Sequence, residues 1–170
     1  AWLQGEHRVP GDKYLPYEES LKVPFIITGP GVPKDRTVTR QVSNIDFAAT
    51  LLAAAGVKPG RVQDGISLLP VARRPSSMKP RALGIEATSP LFLNETLPQQ
   101  WDQPYTGVRT QDWKYVQWKA GDRELYDLRN DPYELRNLID MPRYAAVQRR
   151  LAAKAAKLAK CKGRSCRIAG

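Results

Sequence analysis

The sequence predicts an α/β protein in which a strand-and-helix layer is followed by a small antiparallel sheet backed by one helix. Three observations predict it. An apolar, β-branched run at residues 22–28 precedes an amphipathic stretch that begins near Ser43. Strand-like, aromatic-rich segments crowd residues 105–127. An Ala-rich stretch with helical periodicity lies close to the C-terminus.

Residues 1–20 mix Gly5, Pro10, Gly11 and Pro16 with charge, which is loop composition. Residues 22–28 read Lys-Val-Pro-Phe-Ile-Ile-Thr and suit a buried strand with Pro24 near its start, ended by Gly29-Pro30-Gly31. Ser43-Asn44-Ile45-Asp46 resembles a helix start, with Ser43 as cap and Asp46 at the positive end of the dipole. Ile45, Ala48, Leu51, Leu52 and Ala55 then recur at helical spacing and predict one apolar face; Gly56 supplies a stop and Pro59 forbids resumption. Residues 70–81, with Pro70, Pro75, Ser76, Ser77 and Pro80, read as a linker or surface loop.

Beyond that loop, residues 82–86 suit a strand. Residues 105–110 and 113–119 suit a hairpin around Gln111-Asp112, and Arg123–Asp127 suits a further strand. Aromatic residues of 113–118 fall on both faces, so both faces are expected to be covered. Asn130-Asp131-Pro132 reads as a turn. Residues 144–160 read as a helix with Val147, Leu151 and Leu158 on one side.

Composition bounds function. The 170 residues suffice for a real core, and 42% apolar with 26% charged residues is ordinary for a soluble domain. No apolar run approaches the roughly 20 residues of a membrane-spanning helix. Residues 1–5 do not read as a secretory leader and the first residue is not Met, so the chain is expected to begin inside a longer polypeptide. Lysine and arginine number 27 against 17 acidic residues, a net charge of +10. Such an excess favours polyanions: nucleic acid, anionic membranes or sulfated polysaccharides. Arg149, Arg150, Lys154, Lys157, Lys160, Lys162, Arg164 and Arg167 carry much of it, either as a solvated face or as a binding surface.

Cys161 and Cys166 enclose four residues including Gly163, so a small disulfide loop is feasible and two free thiols are the alternative. Soft ligands for a metal are lacking around them. His7, the only histidine, and Lys13 sit in the N-terminal loop. A lone histidine is more often structural than catalytic, and a loop lysine is normally a solubilising charge. The functional reading of Lys13 is an ammonium that holds an anionic oxygen. Glycine-rich phosphate loops, HExxH and paired CxxC motifs do not occur. Glu18 and Glu19 are adjacent, and on an extended chain they would point to opposite faces.

Order is more informative than any single segment. Gly5-Glu6-His7, Asp12-Lys13, Tyr17-Glu18, residues 22–27, Gly29-Pro30-Gly31, Val42-Ser43-Asn44-Ile45-Asp46 and Asp64-Gly65-Ile66-Ser67-Leu68-Leu69-Pro70 follow one another. Val108-Arg109-Thr110, Trp113-Lys114-Tyr115, Glu124-Leu125-Tyr126-Asp127-Leu128 and Asn130-Asp131-Pro132 come next. Collinearly, these resemble the C-terminal part of sulfatases of the alkaline-phosphatase-like superfamily. The Cys161–Cys166 tail is similar to that of N-acetylglucosamine-6-sulfatases. Residues 87–104 contribute least.

The resemblance implies an alkaline-phosphatase-like fold: residues 1–81 as an incomplete C-terminal portion of the catalytic α/β domain, and residues 82–170 as a C-terminal subdomain with a terminal helix at 144–160 and a tail. It implies hydrolysis of sulfate esters, with a formylglycine nucleophile and a calcium ion. Lys13 matches the family lysine on the sulfate and leaving oxygen, and His7 matches a substrate-contacting histidine of part of the family. No Cys/Ser-x-Pro-x-Arg motif occurs; Ser77-Met78-Lys79-Pro80-Arg81 has the residue types at the wrong spacing. The paired aspartates of the family's first strand are also absent. Nucleophile and calcium ligands are therefore expected upstream, no metal ligand is assigned here, and the chain alone is expected to be inactive. Residues 22–28 would lack neighbours and leave apolar surface open.

The partners implied are a sulfated carbohydrate, such as a glucosamine-6-sulfate in a glycosaminoglycan, and the missing N-terminal portion of the same enzyme, with no nucleic acid. A secreted or otherwise extracytoplasmic site follows from the cysteine pair and the family. Two alternatives remain: an arylsulfatase or phosphodiesterase of the same superfamily, and a non-catalytic module that binds polyanions through its basic C-terminal helix. Asn94-Glu95-Thr96 is a glycosylation sequon.

Overall fold

The computed structural model describes residues 2–9, 11, 13–88 and 103–170. The sequon at Asn94 lies outside them. The C-terminal half forms one antiparallel sheet of four strands, β1 Leu83–Ala87, β2 Tyr105–Arg109, β3 Trp113–Trp118 and β4 Arg123–Asp127, in the order β1-β2-β3-β4. Alternation sorts the side chains into two faces. Gly84, Val108, Tyr115 and Leu125 lie opposite one another across the strands. Arg109, Lys114 and Tyr126 form the next row, on the other face.

Helix α4, Ala145–Leu158, covers the first face. Its buried Leu151 and Ala155 join Val108, Tyr115, Leu125 and Leu138 in one core, with Val147 and Leu158 packed at its edge. Gly84 lies directly under Leu158, and a Cβ there would meet the Leu158 side chain at 3.4 Å. The second face carries Leu3, Val9 and Leu15 of the N-terminal loop against Tyr105, Val116 and Trp118. Both faces are thus covered, as the aromatic pattern requires. Segments on either side of residue 81 share this second core.

The tail returns to the sheet. Arg81 bridges Ala169, and the Ala82 amide donates to the Ile168 carbonyl at 2.9 Å. Cys161 and Cys166 form a disulfide, and Cys166 is buried.

The other helices are α1 Glu18–Leu21, α2 Asp46–Ala54 and α3 Leu69–Arg73. Helix α2 ends as expected at Gly56, whose φ is +66°. The Val57 amide bonds Leu52 O at 3.0 Å and the Gly56 amide bonds Ala53 O at 3.3 Å, a Schellman closure. Its start differs from expectation. Ser43 does not cap with its hydroxyl; instead the Asp46 carboxylate accepts the Ser43 amide at 2.9 Å. Asp46 is fully buried, accepts the Ile66 amide at 2.9 Å and pairs with the Arg81 guanidinium. Gly65 is required beside this junction, since a Cβ there would lie 2.1 Å from Ile45 O.

These polar bonds turn α2 over. Its buried residues are Asp46 and Thr50, while Ile45, Phe47 and Leu51 are exposed, so the apolar stripe expected to face a core faces outward. Residues 22–28 are a second correction. They run extended but form no ladder, because no described strand lies beside them to pair. Phe25 and Ile27 pack on the cluster of Leu68, Val71 and Met78, whereas Val23 and Ile26 are exposed, Ile26 at 85%. Open apolar surface is therefore present on this run. Third, residues 70–81 are not all loop: Pro70 lies in the first turn of α3, where its missing amide hydrogen costs nothing.

Candidate active-site loop

The N-terminal loop carries Lys13 and His7, and the loop-facing side of the sheet holds it by buried ionic chemistry. Lys114 of β3 is the centre, with no exposed surface. A buried ammonium persists only when paired and hydrogen-bonded. Its Nζ donates to Pro16 O at 2.8 Å and pairs with Glu18 Oε1 at 3.0 Å and Glu134 Oε1 at 2.5 Å. Glu134 Oε2 in turn accepts the Glu18 amide at 2.7 Å. Arg109 of β2 grips Glu18 from the other side at 3.0 Å and donates to Gln41 Oε1 at 2.7 Å.

The two carboxylates titrate in opposite directions. Burial pushes Glu134 up to about 7, against the pull of Lys114. Burial also works to raise Glu18, but the hydrogen bonds and charges of Arg109 and Lys114 outweigh it and hold the group below its ordinary value. Glu134 sits at φ +54°, so this junction is built from a backbone conformation that side-chain-bearing residues rarely adopt.

A second buried cluster lies alongside. Glu124 of β4 accepts from Trp118 Nε1 at 2.8 Å and from the Tyr126 hydroxyl at 3.1 Å, and burial raises its pKa. The Tyr126 ring meets the Tyr17 ring edge-on at 6.3 Å. Burial, with Glu124 nearby, pushes the Tyr17 hydroxyl up to about 12.

His7 lies flat on Tyr17, ring centroids 3.6 Å apart, and its Nε2 is 3.5 Å from Glu19 Oε2. It occupies a 3-10 turn, Glu6–Arg8, at φ +54°. Glu18 and Glu19 are helical rather than extended, about 100° apart around α1. They still serve different partners: Glu18 the Lys114 cluster, Glu19 the histidine. Lys13 is exposed, and its carbonyl accepts the Ser20 hydroxyl. The segment between Lys13 and Ser20 is therefore closed on itself and clamped at Pro16 and Glu18. This geometry places the lysine at the start of a stiff turn, which suits orienting a point charge against an anionic oxygen.

Among the described residues, no three His, Cys, Asp or Glu side chains come together in a way that could hold a metal ion. A calcium site does not fit the described residues by themselves.

Residues 5–161 match the family described as N-sulphoglucosamine sulphohydrolase, C-terminal. The chain belongs to this sulfatase family. An arylsulfatase of Chlamydomonas reinhardtii is 34% identical over 95% of the chain and 29% of its own length. N-acetylglucosamine-6-sulfatase of Bos taurus is 29% identical over 98% of the chain and 34% of its own length. Among solved structures, a putative sulfatase from Bacteroides thetaiotaomicron matches with a TM-score of 0.69 at 28% identity, covering 84% of this chain and 30% of that one. Another, solved with its substrate D-glucosamine-2-N,6-O-disulfate, matches with a TM-score of 0.56 at 27% identity, covering 69% and 24%. The chain thus spans about a quarter to a third of the length of these proteins, and its fold is that of the C-terminal part of sulfatases.

Sequence reasoning did not single out Lys114, Glu134, Glu124 or Arg109. One signal was present for Lys114: a charged residue inside a strand whose 114, 116, 118 set otherwise reads Lys, Val, Trp. Such a position implies a buried partner. Glu134 gave no signal, because it lies after β4 in irregular chain and its φ is set by tertiary packing.

Proposed function

We propose that this chain supplies the lysine loop of a sulfatase that hydrolyses sulfate esters on sulfated sugars. Lys13 is the residue that contacts the sulfate and its leaving oxygen, and His7 contacts the substrate beside it. The observation that carries this reading is the clamp: a fully buried lysine and two carboxylates fix the backbone that follows Lys13, at Pro16 and Glu18. A cation that merely confers solubility needs no such base.

Glucosamine-6-sulfate within a glycosaminoglycan is the proposed substrate. Support comes from the relatives that act on N-acetylglucosamine 6-sulfate and from the neighbour solved with a disulfated glucosamine. The formylglycine and calcium ion characteristic of the family would come from the remainder of the polypeptide, so the chain alone is inactive. Residues 1–81 complete the catalytic domain and residues 82–170 form a subdomain that backs the loop. An extracytoplasmic location accords with the Cys161–Cys166 disulfide; among the described residues no helix is long and apolar enough to cross a membrane.

The test is complementation. Mixing the chain with the upstream part of the same polypeptide should restore sulfate release from glucosamine 6-sulfate, and the chain alone should give none. Release by the chain alone would refute the assignment of the nucleophile elsewhere. Failure of a correctly assembled pair would refute the sulfatase reading.

A further inference from the structure

The charge of this protein is not spread over it. All 17 acidic residues lie within residues 1–140, where 18 Lys and Arg nearly balance them. Residues 141–170 carry nine Lys and Arg and no acid at all. Ordinary solubilising helices interleave the two signs, because like charges three or four apart repel. Helix α4 instead keeps Arg150 and Lys154 four apart, and the Lys154 pKa is lowered by burial and by Arg150.

The fold sorts these cations by role. Lys154 donates to Ala169 O at 2.6 Å and Arg167 to Gln63 O and Gly65 O at 2.9 Å, so both tie down the tail. Arg149, Arg150, Lys157 and Lys160 are exposed and take part in none of the ion pairs among the described residues. At about 100° per residue they fall within an arc of roughly 100°, diametrically opposite the sheet-facing Leu151 and Ala155. At about 1.5 Å per residue the stripe runs on the order of 16 Å. Lys162 and Arg164 follow it in sequence, both exposed, on the loop closed by the disulfide, where the Asp64 carboxylate accepts the Gly163 amide at 2.6 Å. In this chain the stripe faces solvent.

We infer that the outer face of α4 and the disulfide loop form an anchoring surface for a sulfated polysaccharide, engaging a stretch of polymer away from the sulfate under attack. The choice of polyanion rests on the sulfatase reading. Two observations separate it from nucleic acid and membranes. Between the cations the face presents Ala146, Ala153 and Ala156, with no aromatic ring for bases to stack on and no large apolar side chain to enter a bilayer. The disulfide belongs to an oxidising compartment, where sulfated polysaccharides are found and nucleic acids are scarce. The Lys13 loop packs on the opposite face of the same sheet, so surface and site are spatially separate and a long chain is needed to reach both.

The test titrates the chain with heparin, double-stranded DNA and phosphatidylserine vesicles between 50 and 300 mM NaCl, beside Arg149→Glu/Arg150→Glu/Lys157→Glu, the Gln equivalent and Lys119→Gln. Helicity is checked by circular dichroism. Wild type should bind heparin most tightly. The Gln variant should lose at least about tenfold in affinity at 100 mM NaCl and about two to three from the slope of log K against log salt, and the Glu variant more. Lys119→Gln, an exposed lysine outside the stripe, should bind as wild type does. Equal heparin binding by the folded Gln and Glu variants, or tighter binding of DNA or vesicles, overturns the proposal. Because this surface is read by polymer binding and the sulfatase reading by sulfate release, failure of the one and failure of the other give different results.

Discussion

Replacing Lys114 by Met tests whether the buried ion cluster is what holds the Lys13 loop to the sheet. The substitution keeps the aliphatic stem and removes the ammonium. Three bonds go with it: to Pro16 O, Glu18 Oε1 and Glu134 Oε1. Breaking one side of a buried pair costs about 3–5 kcal/mol, because the partner charge is left without compensation. Glu18 retains Arg109, so the stranded charge is Glu134. With its pKa already near 7, Glu134 escapes part of the penalty by taking a proton. The loss should therefore be near 3 kcal/mol at pH 6 and approach 5 kcal/mol at pH 8, where wild-type Glu134 is ionised and the variant must still hold it neutral. The assay is urea unfolding followed by tryptophan emission at sub-micromolar protein, comparing midpoints at constant slope. Adding Glu134→Gln should recover about 1 kcal/mol or more, since the two sites share one interaction. An unchanged midpoint for Lys114→Met, or strictly additive losses in the double variant, would refute the clamp.

Three further outcomes are expected. A carboxyl raised from its ordinary value to about 7 in the folded state contributes stability that is complete below the unfolded pKa and lost as pH rises through 7, so Glu134→Gln should flatten the fall in stability between pH 4.5 and 7; an unaltered pH profile would remove Glu134 from the account. Asp46→Ala strands the Arg81 guanidinium and two amides, and should cost about 3–5 kcal/mol in the same unfolding assay, against under 1 kcal/mol for the exposed Asp122→Ala. Ile26, Phe47 and Leu51 leave apolar surface open, so the isolated chain should self-associate at tens of micromolar in analytical ultracentrifugation, and Leu51→Lys with Ile26→Lys should shift it toward monomer.

Local rules carried the sheet and its helix. Residues 105–127 alternate, the turn at Gln111-Asp112 fixes the hairpin, and Val147, Leu151 and Leu158 mark the buried side of α4; all of these are period-two or period-3.6 signals that need no distant partner. Gly56 ended α2 for an equally local reason. The orientation of α2 was illegible, because Asp46 and Thr50 look like surface residues until Arg81 and the 66–68 amides are placed beside them. The strand expected at 22–28 failed similarly: a ladder needs a neighbour, and composition reports only the tendency to seek one. Within the candidate site, Lys13 and His7 were found by family resemblance and not by chemistry. The charged groups that clamp their loop to the sheet, Lys114, Arg109 and Glu134, come from 90 or more residues away in sequence, a separation across which no periodicity operates.

The most direct measurement is kcat for sulfate release from glucosamine 6-sulfate, with Lys13 replaced by Ala in the longest form of the polypeptide that is active. Loss of one charge-stabilising donor at the reacting oxygen should lower kcat by about 10²- to 10³-fold while the unfolding midpoint stays put. An Ala variant that turns over within a few-fold of wild type would place the ammonium outside the reaction, and with it the purpose assigned to the buried clamp.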